Sequence, residues 1–109
     1  MSQPDDALTI TTRRDGDTTV VILSGELDMH SSEQLSSAVA TVLEGLPHEI
    51  EVDARGLSFT DSAGLRALLI ARDDAEAKNV ALRLAQVSDH LDRLLDITGL
   101  RQTLGVPVT

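Results

Sequence analysis

The stretch EIEVDARGLSFTDSAGLRALL, residues Glu49–Leu69, decides the fold. Its first part alternates, with Ile50 and Val52 on one side of an extended chain, which predicts a strand over EIEVDA. RGLSFTDSAGL then reads as a turn, and from about Ser62 the apolar residues fall at helical spacing: Leu65, Leu68, Leu69 and later Ala75. A strand that runs through a polar turn into a helix is one half of a strand–helix–strand crossover. The rest of the chain extends this pattern in both directions.

Upstream, ALTITTRR and TTVVILSG flank Asp15-Gly16-Asp17, and Asp15-Gly16 is a hairpin turn signal because such a turn needs positive φ. Val20 to Leu23 is apolar on both faces, as in an interior strand. The stretch MHSSEQLSSAVATVLEGLP follows. Ser31 with Gln34 fits a capping box, Leu35, Ala38, Val39, Val42, Leu43 and Leu46 share one helical face, and Pro47 ends the helix. Downstream, VALRLAQV predicts a strand with Val80, Leu82 and Leu84 on one side. SDHLDRLLDITGL predicts a helix with Leu91, Leu94 and Leu95 as its stripe and Gly99 as its C-terminal cap. TLGVPV closes the pattern as an edge strand, where Pro107 has no ladder bond to donate. The order β-β-α-β-α-β-α-β predicts an α/β domain: an N-terminal hairpin followed by a mostly parallel sheet with helical crossovers. Residues 1–7 are expected to be a flexible segment and 8–109 the domain.

Composition narrows the function. The 109 residues suit one domain that buries roughly 65% of the surface of its unfolded chain. Phe59 is the only aromatic residue, so Leu, Val, Ile and Ala must make the core. With no cysteine there is no disulfide, thiolate site or cysteine nucleophile. The balance of 18 acidic to 9 basic residues, a formal charge of -9, repels nucleic acid and leaves no basic footprint for it. No apolar run approaches the ~20 residues of a membrane span, and MSQPDDAL lacks the basic and apolar regions of a signal peptide. The expected location is the cytoplasm.

Two loops occupy the carboxyl ends of strands, where α/β folds place their sites: SGELDMHSS and the turn that contains Ser62. Three roles compete for Ser62. As a nucleophile it lacks the first glycine of a Gly-x-Ser-x-Gly elbow, and Asp61 beside it is a poor activating base. His90 lies far downstream at the start of a helix. As an N-cap, Ser62 fills a common structural role. As a phosphoacceptor it is exposed at a helix start, where free N–H groups and the helix dipole favour added negative charge. Gly64, a poor helix former, keeps the approach to that backbone open. Cap and phosphoacceptor are compatible. His30, His48 and His90 are isolated, which gives no metal site, and no glycine-rich phosphate loop is present, so no cofactor is expected. A receiver-type phosphoacceptor at Asp53 would need an acidic pair after the first strand, where Arg13-Arg14 stands instead.

SGELDMHSSEQL, then LSFTDSAGLRALL, then LDITGL resemble the anti-sigma factor antagonists of the STAS domain family over roughly residues 8–108. The resemblance implies a single STAS-type α/β domain that is no enzyme. It also implies a partner, an anti-sigma factor with serine kinase activity, that phosphorylates Ser62 and is captured only by the unphosphorylated form, releasing a sigma factor for transcription. A phosphoprotein phosphatase resets the switch. The implied partner surface is Asp28, Asp61, Ser62, Ala63, Gly64 and Leu65. Where many members carry a second Ser or Thr, this chain has Ala63, which leaves Ser62 as the one acceptor of the motif. The alternative within the resemblance is a STAS subunit of a lipid-transport ABC complex, or another interaction module that works without phosphorylation.

Overall fold

The computed structural model describes residues 7–106. Its elements are β1 (Thr9–Asp15), β2 (Thr18–Leu27), α1 (Ser32–Glu44), β3 (Glu49–Thr60), α2 (Ser62–Glu76), β4 (Ala81–Val87) and α3 (Asp89–Thr98). They form one sheet in the order β1-β2-β3-β4, with β1 antiparallel to β2 and the other neighbours parallel. The α/β architecture with an N-terminal hairpin is as the alternating pattern predicts.

Register explains how the sheet divides into two faces. Thr12, Val21, Val52 and Leu84 lie side by side across all four strands. Three of them, Val21, Val52 and Leu84, are sealed in the core with Leu35 and Val39 of α1, Leu65, Leu68 and Ala71 of α2, and Leu91 and Leu95 of α3. The adjacent row, Arg13, Val20, Glu51 and Arg83, faces the other way. There the Arg83 guanidinium donates to Glu49 at 3.0 Å and to Glu51 at 2.7 Å, so ion pairs line this open face. Among the described residues no helix is long and apolar enough to cross a membrane.

The structure moves several boundaries. The two-residue hairpin loop is Gly16-Asp17, one residue later than expected, because Asp15 still pairs with Thr18; Gly16 carries the positive φ of 64°. Helix α1 ends before Pro47: Gly45 is its cap and Leu46 leaves with φ 47°, since proline disfavours the helical region for the residue before it. Leu46 consequently turns out to solvent at 63% exposure and does not join the buried helical face. Strand β3 is twice the length of the predicted EIEVDA. It runs through Arg55-Gly56-Leu57-Ser58 because it takes up extra residues against β2, at the register shifts between Ile22 and Ser24 and between Gly25 and Glu26. The expected last strand does not form up to Val106. Residues 101–105 are turns, and one bond, from Leu84 N–H to the Leu104 carbonyl at 2.8 Å, holds this segment to the β4 edge. Pro107 and the residues after it lie outside the described residues, as does the expected flexible start except for Ala7. Gly99 caps α3 as expected, with φ 72°.

Candidate functional site

Strands β2 and β3 are parallel, so their carboxyl ends finish together, and the last register pair is Leu27 with Thr60. The chain then departs twice from this point: through Asp28–Ser31 into α1, and through Asp61 into α2. The two loops singled out by the sequence are therefore neighbours in space. Gly64 closes the gap between them. It is buried, and a Cβ there would overlap the Leu27 carbonyl oxygen and lie 2.8 Å from its carbon. A glycine in the first turn of α2 is thus explained by helix–strand contact and not by an open approach to the backbone.

The cap of α2 is Asp61, not Ser62. The Asp61 carboxylate accepts from the Gly64 N–H at 2.8 Å, and its backbone carbonyl accepts from the Leu65 N–H at 3.0 Å. Thr60, Asp61 and Ser62 can all cap a helix; aspartate wins because Thr60 is still paired in β3. Ser62 becomes the first helical residue. It is exposed, and its hydroxyl makes no hydrogen bond within the described residues. Ala63 is half-buried beside it, while Leu65 belongs to the core at 5% exposure.

Asp28 shapes its own loop. One carboxylate oxygen accepts from the N–H of His30 at 2.9 Å and of Ser31 at 3.2 Å, and its backbone carbonyl accepts from Ser32 N–H at 2.9 Å. The predicted capping box is absent. The Ser31 hydroxyl is buried and turned back into the loop, donating to the Glu26 carbonyl at 2.9 Å and accepting from Asp28 N–H at 3.0 Å. Gln34 instead reaches the Leu8 carbonyl at 3.0 Å and ties α1 to the start of β1. Both side chains are thus taken by tertiary contacts that outcompete the local cap.

Three residues outside the expected partner surface join the site. Thr60 is 3% exposed, and its hydroxyl is the one buried side-chain polar atom without a hydrogen-bond partner among the described residues. Its carbonyl lies 3.1 Å from Nε2 of His90, at the start of α3. The His90 ring stacks on Phe59, with centroids 5.5 Å apart and planes 28° from parallel. His90 thus contacts the backbone before Asp61, and its Nε2 is engaged there instead of with the Ser62 hydroxyl. Spacing alone could not reveal this, since 30 residues separate His90 from Thr60. Beyond Ser62, a groove of about 410 Å³ runs between α1 and α2, floored by Ala63 and Ala67 and walled by Ser32, Ser36, Arg66 and Ile70. No group of His, Asp or Glu side chains among the described residues is placed to hold a metal ion.

Chemically, the arrangement offers one free hydroxyl on a helix start capped by Asp61, with the Asp28 loop leaving the neighbouring strand end. The chain as a whole is similar to known proteins. The family model described as Mlab, STAS domain, matches residues 10–106. An anti-sigma-B factor antagonist of Staphylococcus epidermidis is 28% identical over 86 residues, covering 79% of this chain and 80% of that protein. The crystal structure of an anti-sigma factor antagonist from Mycobacterium paratuberculosis superposes with a TM-score of 0.83 at 26% identity, over 100% of this chain and 92% of that one. The Bacillus cell fate determinant SpoIIAA, in its phosphorylated form, superposes with a TM-score of 0.67 at 26% identity, over 94% and 92% of the two chains.

Proposed function

The chain belongs to the STAS domain family, and from that premise we propose that it is an anti-sigma factor antagonist switched by phosphorylation of Ser62. The observation that carries the reading is the Ser62 hydroxyl: exposed, unbonded within the described residues, and set on the first residue of a helix that Asp61 already caps. A phosphate there adds a charge of about -1.5 to -2 without displacing the cap, and the helix N-terminus tolerates it. The relatives support the role: two are named antagonists of anti-sigma factors, and SpoIIAA was solved in its phosphorylated form.

The partner is an anti-sigma factor with serine kinase activity, and a phosphoprotein phosphatase reverses the modification. The chain itself is a binding module and a kinase substrate, not an enzyme, and it acts in the cytoplasm as a single domain over residues 8–109. The unphosphorylated form docks through the Asp28 loop and the Asp61–Leu65 turn, in which Ser62 and Ala63 provide exposed surface while Gly64 and Leu65 hold the helix start against the core. A phosphate buried at the centre of that contact is desolvated beside Asp28 and Asp61. The cost is several kcal/mol, on the order of 10²–10⁴-fold in affinity.

The test uses the purified chain, ATP and a purified kinase-type anti-sigma factor from the same genome. One phosphate on Ser62, with loss of the complex afterwards, supports the reading. Phosphate on Ser31, Ser32 or Thr60 overturns the assignment. Binding to a transporter ATPase, with none to any anti-sigma kinase, replaces it with the lipid-transport reading.

A further inference from the structure

We infer that His90 is a positioning residue for Ser62, pinning the peptide plane between Thr60 and Asp61 from the neighbouring helix α3. This rests on the proposed role of Ser62 and names a device specific to this site. A backbone carbonyl only accepts hydrogen bonds, so the 3.1 Å approach of His90 Nε2 to the Thr60 oxygen places the proton on Nε2. Phe59 stacks on the ring and fixes its plane. The helix that carries His90 is itself anchored: Ser88 caps it by accepting from Leu91 N–H at 3.2 Å, and Leu91 and Leu95 are fully buried.

The Thr60 hydroxyl has no hydrogen-bond partner among the described residues and so does not share this work. Asp61 holds its capping geometry at φ -100° and ψ -174° directly after this peptide, and Ser62 follows it. A serine offered to a phosphoryl donor reacts in proportion to how well its oxygen is aligned, so loss of the pin slows transfer more than it weakens docking. The neutral Nε2–H tautomer and the imidazolium both donate from Nε2, so the pin holds in either state.

Three variants separate the elements of the contact. His90→Ala removes ring and donor, His90→Phe keeps a ring without a donor, and His90→Gln keeps an amide donor of comparable reach. Hydrogen exchange by NMR at the Gly64 and Leu65 amides, both bonded to Asp61, is expected to speed up roughly three- to tenfold in the Ala and Phe variants. It should recover toward the parent in the Gln variant, with core-strand amides such as Val52 unchanged in all three. Imidazole ¹⁵N shifts of the neutral ring in the parent should show the Nε2–H tautomer. With the kinase-type anti-sigma factor, kcat for Ser62 should fall by a similar factor while KM stays constant. An Nδ1–H tautomer, unchanged exchange at Gly64 and Leu65, or a uniform rise across the molecule overturns the pin. Altered exchange with unchanged kcat overturns the positioning role. If the parent is never phosphorylated while the exchange pattern holds, the proposed function of Ser62 fails, the positioning of its oxygen for transfer fails with it, and the local contact alone stands.

Discussion

Gly64 in the first turn of α2 lies against the backbone carbonyl of Leu27 at the end of β2, with no room between them for a side chain. The contact sets where α2 begins relative to the Asp28 loop, and so sets the spacing of the two halves of the site.

Gly64→Ala is therefore expected to destabilise, against the usual helix preference for alanine. The new Cβ meets backbone atoms of Leu27, which cannot rotate away, and, at 3.0 Å, the Thr60 methyl group. The cost should be about 1–3 kcal/mol, the range of an overpacked core position, read from urea denaturation. A stability equal to the parent's would show that α2 is free to slide.

Asp61 and Ser62 should separate cleanly under substitution. Asp61→Ala removes the carboxylate that accepts from Gly64 N–H and should cost about 0.5–2 kcal/mol. Ser62→Ala removes an exposed hydroxyl with no partner within the described residues and should stay within about 0.5 kcal/mol of the parent. Thermal melts of the two variants check this directly. The reverse ranking would return the cap to Ser62.

What the sequence made legible was set by periodicity. The strand at Ile50 and Val52, the Leu stripes of the helices and the order of elements all follow from side-chain spacing that one buried face imposes. Misplaced features share a different cause. Arg55-Gly56 reads locally as a turn, yet pairing with β2 carries β3 through it. Ser31 and Gln34 fit a local capping box, yet Glu26 and Leu8 claim their side chains. In the candidate site, Ser62 stood out by residue type and position and Asp28 through the family resemblance, whereas His90 reaches Thr60 only because the fold lays α3 against the end of β3.

Acid should loosen the open face of the sheet through Asp53. Hydrogen bonds from the Arg55 side chain hold its carboxyl below the ordinary value of 3.8, against the opposing effect of burial. A group lowered on folding stabilises above its unfolded pKa, and that contribution disappears as pH falls through the folded value. Asp53→Asn should thus lose some stability at neutral pH and show a shallower decline below about pH 4 than the parent. Urea midpoints measured across that range decide it; parallel curves would mean the pair adds nothing to folding.

Asp28 has two separable jobs, and two substitutions divide them. One carboxylate oxygen accepts from the His30 and Ser31 amides and shapes the loop, while the other makes no hydrogen bond within the described residues. Asp28→Asn keeps an oxygen acceptor for both amides, so stability should stay within about 0.5 kcal/mol of the parent. Asp28→Ala leaves those donors without their partner and should cost about 1–3 kcal/mol. Binding is expected to rank differently. If the second oxygen meets a cation on the anti-sigma factor, Asp28→Asn should weaken capture despite an intact loop. A rim contact would show as a slower, less salt-sensitive association, and a buried bond as faster dissociation. Calorimetry and surface-binding kinetics on a folded Asp28→Asn protein read both. Parent-like affinity with parent-like stability would confine Asp28 to the loop and leave Ser62 and its immediate neighbours to carry the partner surface alone.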